Sequence, residues 1–294
     1  MKKPDHNIKR VGIIGNSGKI SRADEIDKAA RCIRAAGRQL YLDAATAALT
    51  GTSAEVLPDA LALSKKVDLI LVLGGDGTFL RVAREIAGSR TPMLGINIGA
   101  LGFLTAVPSG ELAAALKHVW KGEFEFESRS LIHATGHANG RPVDQAALND
   151  IVVSRGIASR LIELDVKVNG DSLSRYRCDG LILSSPTGST AYSLAAGGAV
   201  VFPTAEVMCL TPICPHTLSN RSLILPLSAT VEITIISPKP ATILSTDGQM
   251  VSELAPDDVI TVRRSHRSVR LMHLAGTSFC ETLRKKLHWR GGSV

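Results

Sequence analysis

The chain has 294 residues, a formal net charge of +7 and a sequence pI near 9.3, while aromatic residues make up only 4% of it. A chain of this length can bury a substantial core and is long enough for two domains. The positive charge suits an acidic, phosphate-bearing substrate, whereas so few aromatic residues disfavour a base-stacking surface for nucleic acid. We therefore expect a small anionic substrate and no nucleic-acid partner.

The cysteines and the N-terminus bear on the cellular compartment. Five cysteines show no zinc-like spacing, and their odd number disfavours a complete set of disulfides. The N-terminus is charged rather than signal-like, and no apolar stretch is long enough to span a bilayer. We expect a soluble, cytoplasmic protein with reduced thiols and no membrane partner.

Strand and helix patterns alternate up to about residue 123. Apolar runs predict strands at Val11–Gly15, Gln39–Leu42, Asp68–Leu73 and Pro92–Ile96, and helical spacing predicts helices at Ala23–Ala36 and Glu111–Trp120. Ser109 is placed to cap the last of these helices. The alternation predicts an α/β domain over residues 1–128, with an open, mostly parallel sheet whose ligands bind beyond the carboxyl ends of its strands.

The second half of the chain is rich in β-branched residues and turns. Strands are predicted in Leu161–Val168, Val231–Ile236 and Val259–Val262, and Asn169–Gly170 is typical of a hairpin turn. We therefore expect a predominantly β domain over residues 129–274. The tail, residues 275–294, is expected to pack back on the first domain, with the basic run Arg284–Lys286 as a solvated face.

The segment Gly74–Gly75–Asp76–Gly77 is the most informative about function. It ends a buried strand and precedes a helical pattern, so its glycines let backbone approach an anion at a helix N-terminus. A carboxylate beside phosphates is repelled unless it holds a cation, accepts a proton or bonds a hydroxyl, and all three suggest phosphoryl transfer. On this motif alone, a tight turn with Asp76 as a helix cap stays equally open.

Three further segments contain residue types that are found in ligand sites. Gly12–Lys19 lacks the spacing of a P-loop, so Lys19 is interpreted as a surface lysine. Cys178–Ser193 runs from a strand into a turn crowded with hydroxyls that could bond a nucleotide, although simple Ser/Thr capping would explain them as well. Asn149–Asp150 precedes an apolar strand and could bond an adenine edge and the two hydroxyls of a ribose, unless the pair forms an ordinary Asx turn.

Together these segments resemble the NAD kinase family, in the family's order and over nearly the whole chain. The matching segments are Gly74–Thr78, Asn97–Leu104, Asn149–Asp150, Asp179–Gly180, Pro186–Ser193, Pro212–Leu218 and Asp247–Gln249. Diacylglycerol, sphingosine and phosphofructo kinases carry forms related to the first segment, but the combination is specific. The resemblance implies transfer of the γ-phosphoryl group of ATP, with Mg²⁺ or another divalent cation, to the 2′-hydroxyl of the adenosine ribose of NAD, which produces NADP.

The resemblance also implies roles for individual residues. Asp76 would orient or deprotonate the 2′-hydroxyl, while Gly75 and Gly77 would admit phosphates to the loop. Asn149 and Thr187 would contact adenine, Phe103 would form a wall of the adenine pocket, and Asp150 would bind the nicotinamide ribose. Contacts to the adenosine portion would come from Thr190, Ala191 and Tyr192. The remaining implied cofactor-binding residues are Arg81, Arg177, Asp179 and Gln249. No protein ligand to a metal is predicted, since Mg²⁺ is held mainly by ATP phosphates and water.

The resemblance further implies a homotetramer, in which Asp179 reaches the nicotinamide end of NAD bound to a neighbouring subunit. Arg177 stands where some relatives that also accept polyphosphate or NADH carry glycine, which favours ATP as donor and NAD as acceptor. Two alternatives remain at this point. A lipid kinase of the diacylglycerol type would ignore NAD, and a non-catalytic NADP-sensing module would need a broken glycine loop.

Overall fold

A computed structural model describes residues 8–15, 23–99, 101–105, 107–156, 160–216, 221–236 and 242–289. Lys19, Ala100 within the Asn97–Leu104 segment, the end of the Pro212–Leu218 segment and the last five residues of the tail lie outside these ranges. The chain divides into two compact units, Met1–Ser128 with Val269–Val294, and Arg129–Ser268. It passes from one unit to the other within two long strands.

The elements are numbered in chain order. The strands are β1 (Arg10–Gly15), β2 (Gln39–Asp43), β3 (Glu55–Leu57), β4 (Leu69–Gly74), β5 (Met93–Asn97), β6 (Val107–Pro108), β7 (Phe124–Ala138), β8 (Arg141–Ala147), β9 (Asp150–Arg155), β10 (Ile162–Val168), β11 (Asp171–Cys178), β12 (Gly180–Ser184), β13 (Val207–Ile213), β14 (Leu223–Pro226), β15 (Val231–Ile235), β16 (Thr242–Thr246), β17 (Gln249–Leu254) and β18 (Val259–Leu274). The helices are α1 (Ala23–Ala35), α2 (Ala44–Ala47), α3 (Ala60–Lys66), α4 (Asp76–Glu85), α5 (Leu112–Trp120), α6 (Tyr192–Ala195) and α7 (Phe279–Lys286). None of these helices is long and apolar enough to cross a bilayer.

The first unit is built on a parallel sheet in the order β3-β2-β1-β4-β5. This confirms the predicted α/β class. The end of β18 adds a further parallel pairing, Leu271 opposite Met93, and Met272 and Leu274 pack into the same core. The chain therefore belongs to this unit from Val269 onward, whereas the sequence-based division began the tail at residue 275.

Helices cover both faces of this sheet because its central strands are apolar on both sides. Ile13 lies in one core with residues of α1 and α5. The next residue along the strand, Gly12, faces the other way, and a Cβ there would lie 2.9 Å from the side chain of Leu63 on α3. Ser109 does not cap α5, contrary to the prediction, because a 3₁₀ turn at Ser109–Glu111 intervenes before the helix begins.

The second unit is a β sandwich, which confirms its predicted β class. One sheet is antiparallel in the order β14-β13-β12-β9-β16-β17. The other includes β11, β10, β15 and the beginning of β18. Alternate residues of both sheets, such as Ile151 and Leu183 on one and Leu164 and Ile233 on the other, share one buried core, as expected when two sheets pack face to face.

Three two-residue hairpin turns occur in the described part of this unit. Asn169–Gly170 joins β10 to β11, as predicted, and Asn139–Gly140 joins β7 to β8. Asp247–Gly248 joins β16 to β17. Both residues of each turn have positive φ, with values of 47° at Asp247 and 75° at Gly248. This is the type I′ geometry, which Asn-Gly and Asp-Gly pairs adopt most readily.

Candidate active site

The glycine loop lies at the carboxyl edge of the parallel sheet. Strand β4 ends at Gly74, Gly75 is the N-cap residue of α4, and Asp76 is the first residue of that helix. A Cβ atom at Gly75 or Gly77 would meet nothing within 4 Å, and neither residue has a positive φ. The fold therefore does not require glycine at these two positions. The open space beside their backbone is what a closely approaching ligand needs.

The carboxylate of Asp76 is held by the backbone of the loop that follows β5. Its Oδ1 accepts hydrogen bonds from the amides of Leu104 and Thr105, both at 3.1 Å, and from the Thr105 hydroxyl at 3.0 Å. Its Oδ2 accepts one from the amide of Phe103 at 2.8 Å. The N-cap residue is Gly75, and the carboxylate of Asp76 is bonded to residues 103–105, so the interpretation of Asp76 as a simple helix cap is wrong.

Two glycines that the sequence analysis did not single out make this arrangement possible. A Cβ at Gly102 would lie 2.0 Å from Oδ1 of Asp76, and one at Gly95 would lie 2.5 Å from the carbonyl oxygen of Leu104. Contacts this short cannot exist, so a side chain at Gly95 would require a backbone shift, and one at Gly102 would displace the Asp76 carboxylate from its place in the loop. Gly102 lies within the Asn97–Leu104 segment, which was the available signal, but the steric reason for a glycine there depends on the fold.

The C-terminal helix α7 reaches the same loop. Nζ of Lys286 donates a hydrogen bond to the carbonyl oxygen of Leu101 at 2.5 Å and lies 5.5 Å from the centre of the Phe103 ring. Lys285 instead pairs with Glu281 at 2.8 Å on the surface of the helix. The prediction that this basic run is only a solvated face is therefore wrong for Lys286, which is bonded to the loop that holds Asp76.

The other predicted residues of the first unit have simple surroundings. Arg81 is half-buried on α4 and pairs with Glu85 one turn later at 2.9 Å. Phe103 is half-buried and contributes both its ring, beneath Lys286, and its amide, to Asp76. In this structure Arg81 is not among the residues bonded to Asp76, whose partners come from the loop after β5.

In the second unit, Asn149 and Asp150 form the entry to β9. The carboxylate of Asp247 accepts hydrogen bonds from three consecutive amides, those of Leu148 at 3.1 Å, Asn149 at 2.8 Å and Asp150 at 3.2 Å. The amide of Asp247 in turn donates to the carbonyl oxygen of Asp150 at 3.0 Å. The residue that organises this turn is therefore nearly one hundred positions away in the sequence, not a local Asx side chain.

Asp150 is buried, with 4% of its surface exposed. Burial, followed by the negative charge of Asp247, raises the pKa of Asp150 to about 7. Its side chain thus changes charge near neutral pH, where an ordinary aspartate is fully ionised. Asn149 is half-buried beside it. A carboxyl group of this kind can accept hydrogen bonds from ribose hydroxyls once it is ionised.

The hydroxyl-rich turn packs directly against this strand entry. Strand β12 ends at Ser184, opposite Asp150, and a 3₁₀ turn follows at Thr187–Thr190. The Ser185 amide donates to the carbonyl oxygen of Asn149 at 2.8 Å, and a Cβ at Gly188 would lie 2.1 Å from that same oxygen. The structure therefore brings the two predicted segments of the second unit together, backbone against backbone.

The side chains of this turn differ in burial. Thr187 is buried, and its hydroxyl accepts a hydrogen bond from Arg129, a buried arginine that the sequence analysis missed, at 3.2 Å. Thr190 and Ala191 are half-buried, whereas Tyr192 is 47% exposed. An exposed tyrosine at the rim of a polar turn has an apolar ring available for contact with a ligand.

Asp179 lies at the other end of β12. Its carboxylate forms a double contact with the guanidinium of Arg155, at 2.7 and 3.3 Å. Since β12 has five residues, Asp179 and Ser184 are separated by roughly 15 Å within one chain. Arg177 is exposed beside Glu163 at 3.7 Å, near Asp179, whereas Gln249 is exposed directly after the Asp247–Gly248 turn.

The five cysteines are free in the structure. Among the residues that the structure describes, no three or more histidine, cysteine, aspartate or glutamate side chains come together as ligands for a metal ion.

Comparisons with known proteins point in one direction. The family models that match are the ATP-NAD kinase N-terminal domain, over residues 11–124, and the ATP-NAD kinase C-terminal domain, over residues 148–274. An NAD kinase of Paracidovorax citrulli is 43% identical over 92% of this chain and 91% of that protein, and one of Ralstonia nicotianae is 40% identical over 96% and 93%. The solved structure of yeast NADH kinase complexed with NADH is 25% identical, with a TM-score of 0.86 over 98% of this chain and 90% of that one.

Proposed function

Because the chain belongs to the ATP-NAD kinase family, we propose that it phosphorylates NAD with ATP. The γ-phosphoryl group passes to the 2′-hydroxyl of the adenosine ribose, and the products are NADP and ADP. The observation that carries this proposal is the Asp76 carboxylate, fixed by three backbone amides beside two glycines that the fold leaves open. An oriented proton acceptor in a loop suited to phosphates is what transfer to an alcohol requires.

We assign Oδ2 of Asp76 as the atom that accepts the proton of the substrate hydroxyl. In the described part of the chain this oxygen accepts one hydrogen bond, from Phe103, whereas Oδ1 accepts three. A carboxylate oxygen has two lone pairs, so Oδ2 retains one for the substrate hydroxyl. The ribose oxygen attacks the γ-phosphorus, the bond from that phosphorus to the bridging oxygen breaks, and the hydroxyl proton passes to Asp76.

Substrate recognition is divided between the loops. Gly75 and Gly77 let the phosphates approach the backbone, and Phe103 contributes a wall for adenine. In the second unit, Asn149 and Thr187 recognise adenine and Asp150 binds the nicotinamide ribose. The remaining contacts to the nucleotides are assigned to Arg81, Arg177, Thr190, Ala191, Tyr192 and Gln249. Support for the group in the second unit comes from the direct packing of the Thr187 turn on Asn149.

A divalent cation, Mg²⁺ by preference, accompanies ATP. Mg²⁺ keeps several waters and usually binds through substrate phosphates together with one or two carboxylates. It would neutralise the charge that develops on the β- and γ-phosphate oxygens during transfer. We assign the ion to the nucleotide rather than to a cage of protein ligands.

The active assembly is proposed to be a homotetramer in which Asp179 reaches the nicotinamide end of NAD held by a neighbouring subunit. Asp179 lies at the opposite end of β12 from Ser184, and this placement supports the proposal. Within one chain, Asp179 is then roughly 15 Å from the end of β12 that leads into the Thr187 turn. Free thiols suit a reducing compartment, and we place the enzyme in the cytoplasm.

A mixing experiment tests the shared site. Asp76→Asn and Asp179→Asn chains, each inactive alone, should regain part of the activity when refolded together, since some sites then combine intact residues from both. Hybrids that stay inactive, or a monomer that is fully active at assay dilution by light scattering, would show that the site lies within one chain.

The proposed activity is tested by incubating the purified protein with NAD, ATP and Mg²⁺ and detecting NADP with an NADP-specific dehydrogenase. NADP should form, and it should not form without a phosphoryl donor. Polyphosphate in place of ATP defines the donor range. Phosphorylation of diacylglycerol in micelles without NADP formation would instead identify a lipid kinase, and tight NADP binding without turnover a sensing module.

A further inference from the structure

Asp247 stands out because its side chain bonds the backbone of the segment that contains Asn149 and Asp150, although Asp247 itself is not assigned a contact to NAD. Its carboxylate accepts the three consecutive amides of residues 148–150, and its own amide donates back to Asp150. We propose that Asp247 is a positioning residue for NAD, which fixes the entry to β9 so that Asn149 and Asp150 present their side chains to the substrate. This inference rests on the proposed function, because it assumes that these two side chains contact NAD.

The turn that contains Asp247 does not by itself explain an aspartate there. The other two type I′ turns of the unit, at Asn139 and Asn169, have asparagine at the corresponding position. Asparagine satisfies the same backbone geometry but has only one acceptor oxygen. Asp247 uses both of its oxygens, Oδ2 for Leu148 and Oδ1 for Asn149 and Asp150. The carboxylate therefore serves the neighbouring strand in addition to the turn.

The placement of the two aspartates also disfavours a purely structural role. Asp247 lies against Asp150, which is 4% exposed, and its charge adds to burial in opposing ionisation of that carboxyl. A buried acidic group beside a second carboxylate destabilises the folded protein when it is ionised. Arrangements that are unfavourable for folding but hold a titratable group near neutral pH are typical of functional sites.

The first test is Asp247→Asn, which keeps the type I′ turn and the size of the side chain. At about pH 8, where Asp150 is largely ionised, we expect KM for NAD to rise about tenfold while KM for ATP stays within about twofold. Direct calorimetric titration with NAD should show the same loss of affinity. If this variant does not fold, Asp247→Gly also keeps the turn and removes the carboxylate without placing an amide group against the Leu148 amide.

A matched control is available in the same unit. Asp258 accepts hydrogen bonds from two backbone amides, those of Asn139 at 2.9 Å and Ala255 at 2.7 Å, and neither residue is among those proposed to contact NAD. Asp258→Asn removes a comparable charge from a comparable set of bonds. It should lower the melting temperature about as much as Asp247→Asn and leave KM for NAD unchanged.

The pH dependence of NAD affinity tests separately whether the charge of Asp247 acts on Asp150. In the wild-type protein, affinity should fall as the pH decreases through about 7, because Asp150 becomes protonated and loses an acceptor. Removing the charge of Asp247 leaves burial as the cause that raises the pKa of Asp150. The midpoint in Asp247→Asn should therefore move to lower pH, while that of Asp258→Asn stays with the wild type.

The outcomes separate this inference from the proposed function. If the wild type makes NADP and Asp247→Asn changes both KM values equally, or changes neither, the positioning role is wrong and the kinase activity stands. If the wild type makes no NADP but binds NAD, and Asp247→Asn binds NAD more weakly with the midpoint of its pH dependence at lower pH, the positioning role stands without the kinase activity. A wild type that neither turns over nor binds NAD would overturn both.

Discussion

The two units contain the same hydrogen-bond pattern in opposite roles. In the first, the amides of residues 103–105 bind the carboxylate of Asp76, and in the second, the amides of residues 148–150 bind the carboxylate of Asp247. Asp76 is the group proposed to react, so the loop holds the residue. Asp247 is not, and here the residue holds the loop that carries Asn149 and Asp150.

The difference lies in the surroundings of each carboxylate. Asp76 is half-buried next to glycines with open space beside them, so a substrate can approach it. Asp247 is covered on one side by the strand entry that it bonds, and the acidic group presented beside it is Asp150. A carboxylate bound by three amides is therefore not evidence of a catalytic role until the open side of the carboxylate has been examined.

The largest expected effect is on the first unit. Asp76→Asn should lower kcat by about 10²-fold or more, because the amide cannot accept the hydroxyl proton. Steady-state kinetics of the folded variant checks this. Asp59→Asn is a suitable control, since Asp59 is the N-cap of α3 in the same unit and asparagine caps a helix equally well. Near-normal turnover of Asp76→Asn would reduce that residue to a structural ligand of its loop, like Asp247.

The glycine loop offers a test that separates function from stability. Gly77→Ala should lower kcat/KM for ATP by about tenfold or more, since a methyl group would occupy the space assigned to phosphates. Stability should rise by up to about 1 kcal/mol, because Gly77 is inside α4 and alanine favours helix. Gly110→Ala, also in open space, should leave activity unchanged. Full activity of Gly77→Ala in thermal and kinetic assays would show that the loop does not contact substrate.

The bond from α7 to the loop is expected to have a smaller effect. Lys286→Met should lower kcat by about fivefold, the scale of one lost hydrogen bond from a charged group, by loosening the loop that orients Asp76. Lys285→Met, next to it in the sequence, removes only a surface ion pair and should have no effect on turnover. Equal kinetics for the two variants would show that the bond from Lys286 does not help to orient Asp76.

The acidic pair of the second unit should be visible in stability. Because its folded-state pKa is raised, Asp150 binds its proton more tightly in the folded protein, so the contribution of Asp150 to stability falls as the pH rises from about 4 to about 7. Asp150→Asn should therefore raise the melting temperature without NAD, by roughly 5 °C more at about pH 8 than at about pH 5. Asp171→Asn, at an exposed position, should show no such difference. A pH-independent change at Asp150 would contradict the raised pKa.

Much of the fold could be predicted because its signals are local. The buried strands β1, β4 and β5 and the helix α1 follow from apolar runs and helical spacing, and the turn after β10 follows from Asn169–Gly170. The length of β18 could not be predicted in this way. Its beginning pairs with β15 and its end with β5, so its course depends on partners far away in the sequence.

Those parts of the candidate site that consist of distinctive side chains could be predicted from the sequence. Those parts that consist of backbone amides could not. Asp76 is conspicuous among glycines, but its partners are amides 27 to 29 residues away, which every residue type except proline supplies. The bonds of Asp247 span 97 to 99 residues for the same reason. Lys286 differs from Lys285 only in the side of α7 that meets the loop, which composition does not reveal.

The central claim is that the carboxylate of the first unit acts on the reaction and the acidic group of the second recognises NAD. Calorimetric titration of NAD into Asp76→Asn and Asp150→Ala, without ATP and at about pH 8, tests this division most directly. We expect Asp76→Asn to bind NAD within about threefold of the wild type and Asp150→Ala to bind at least about tenfold more weakly. Equal losses in both variants, or a larger loss in Asp76→Asn, would contradict it.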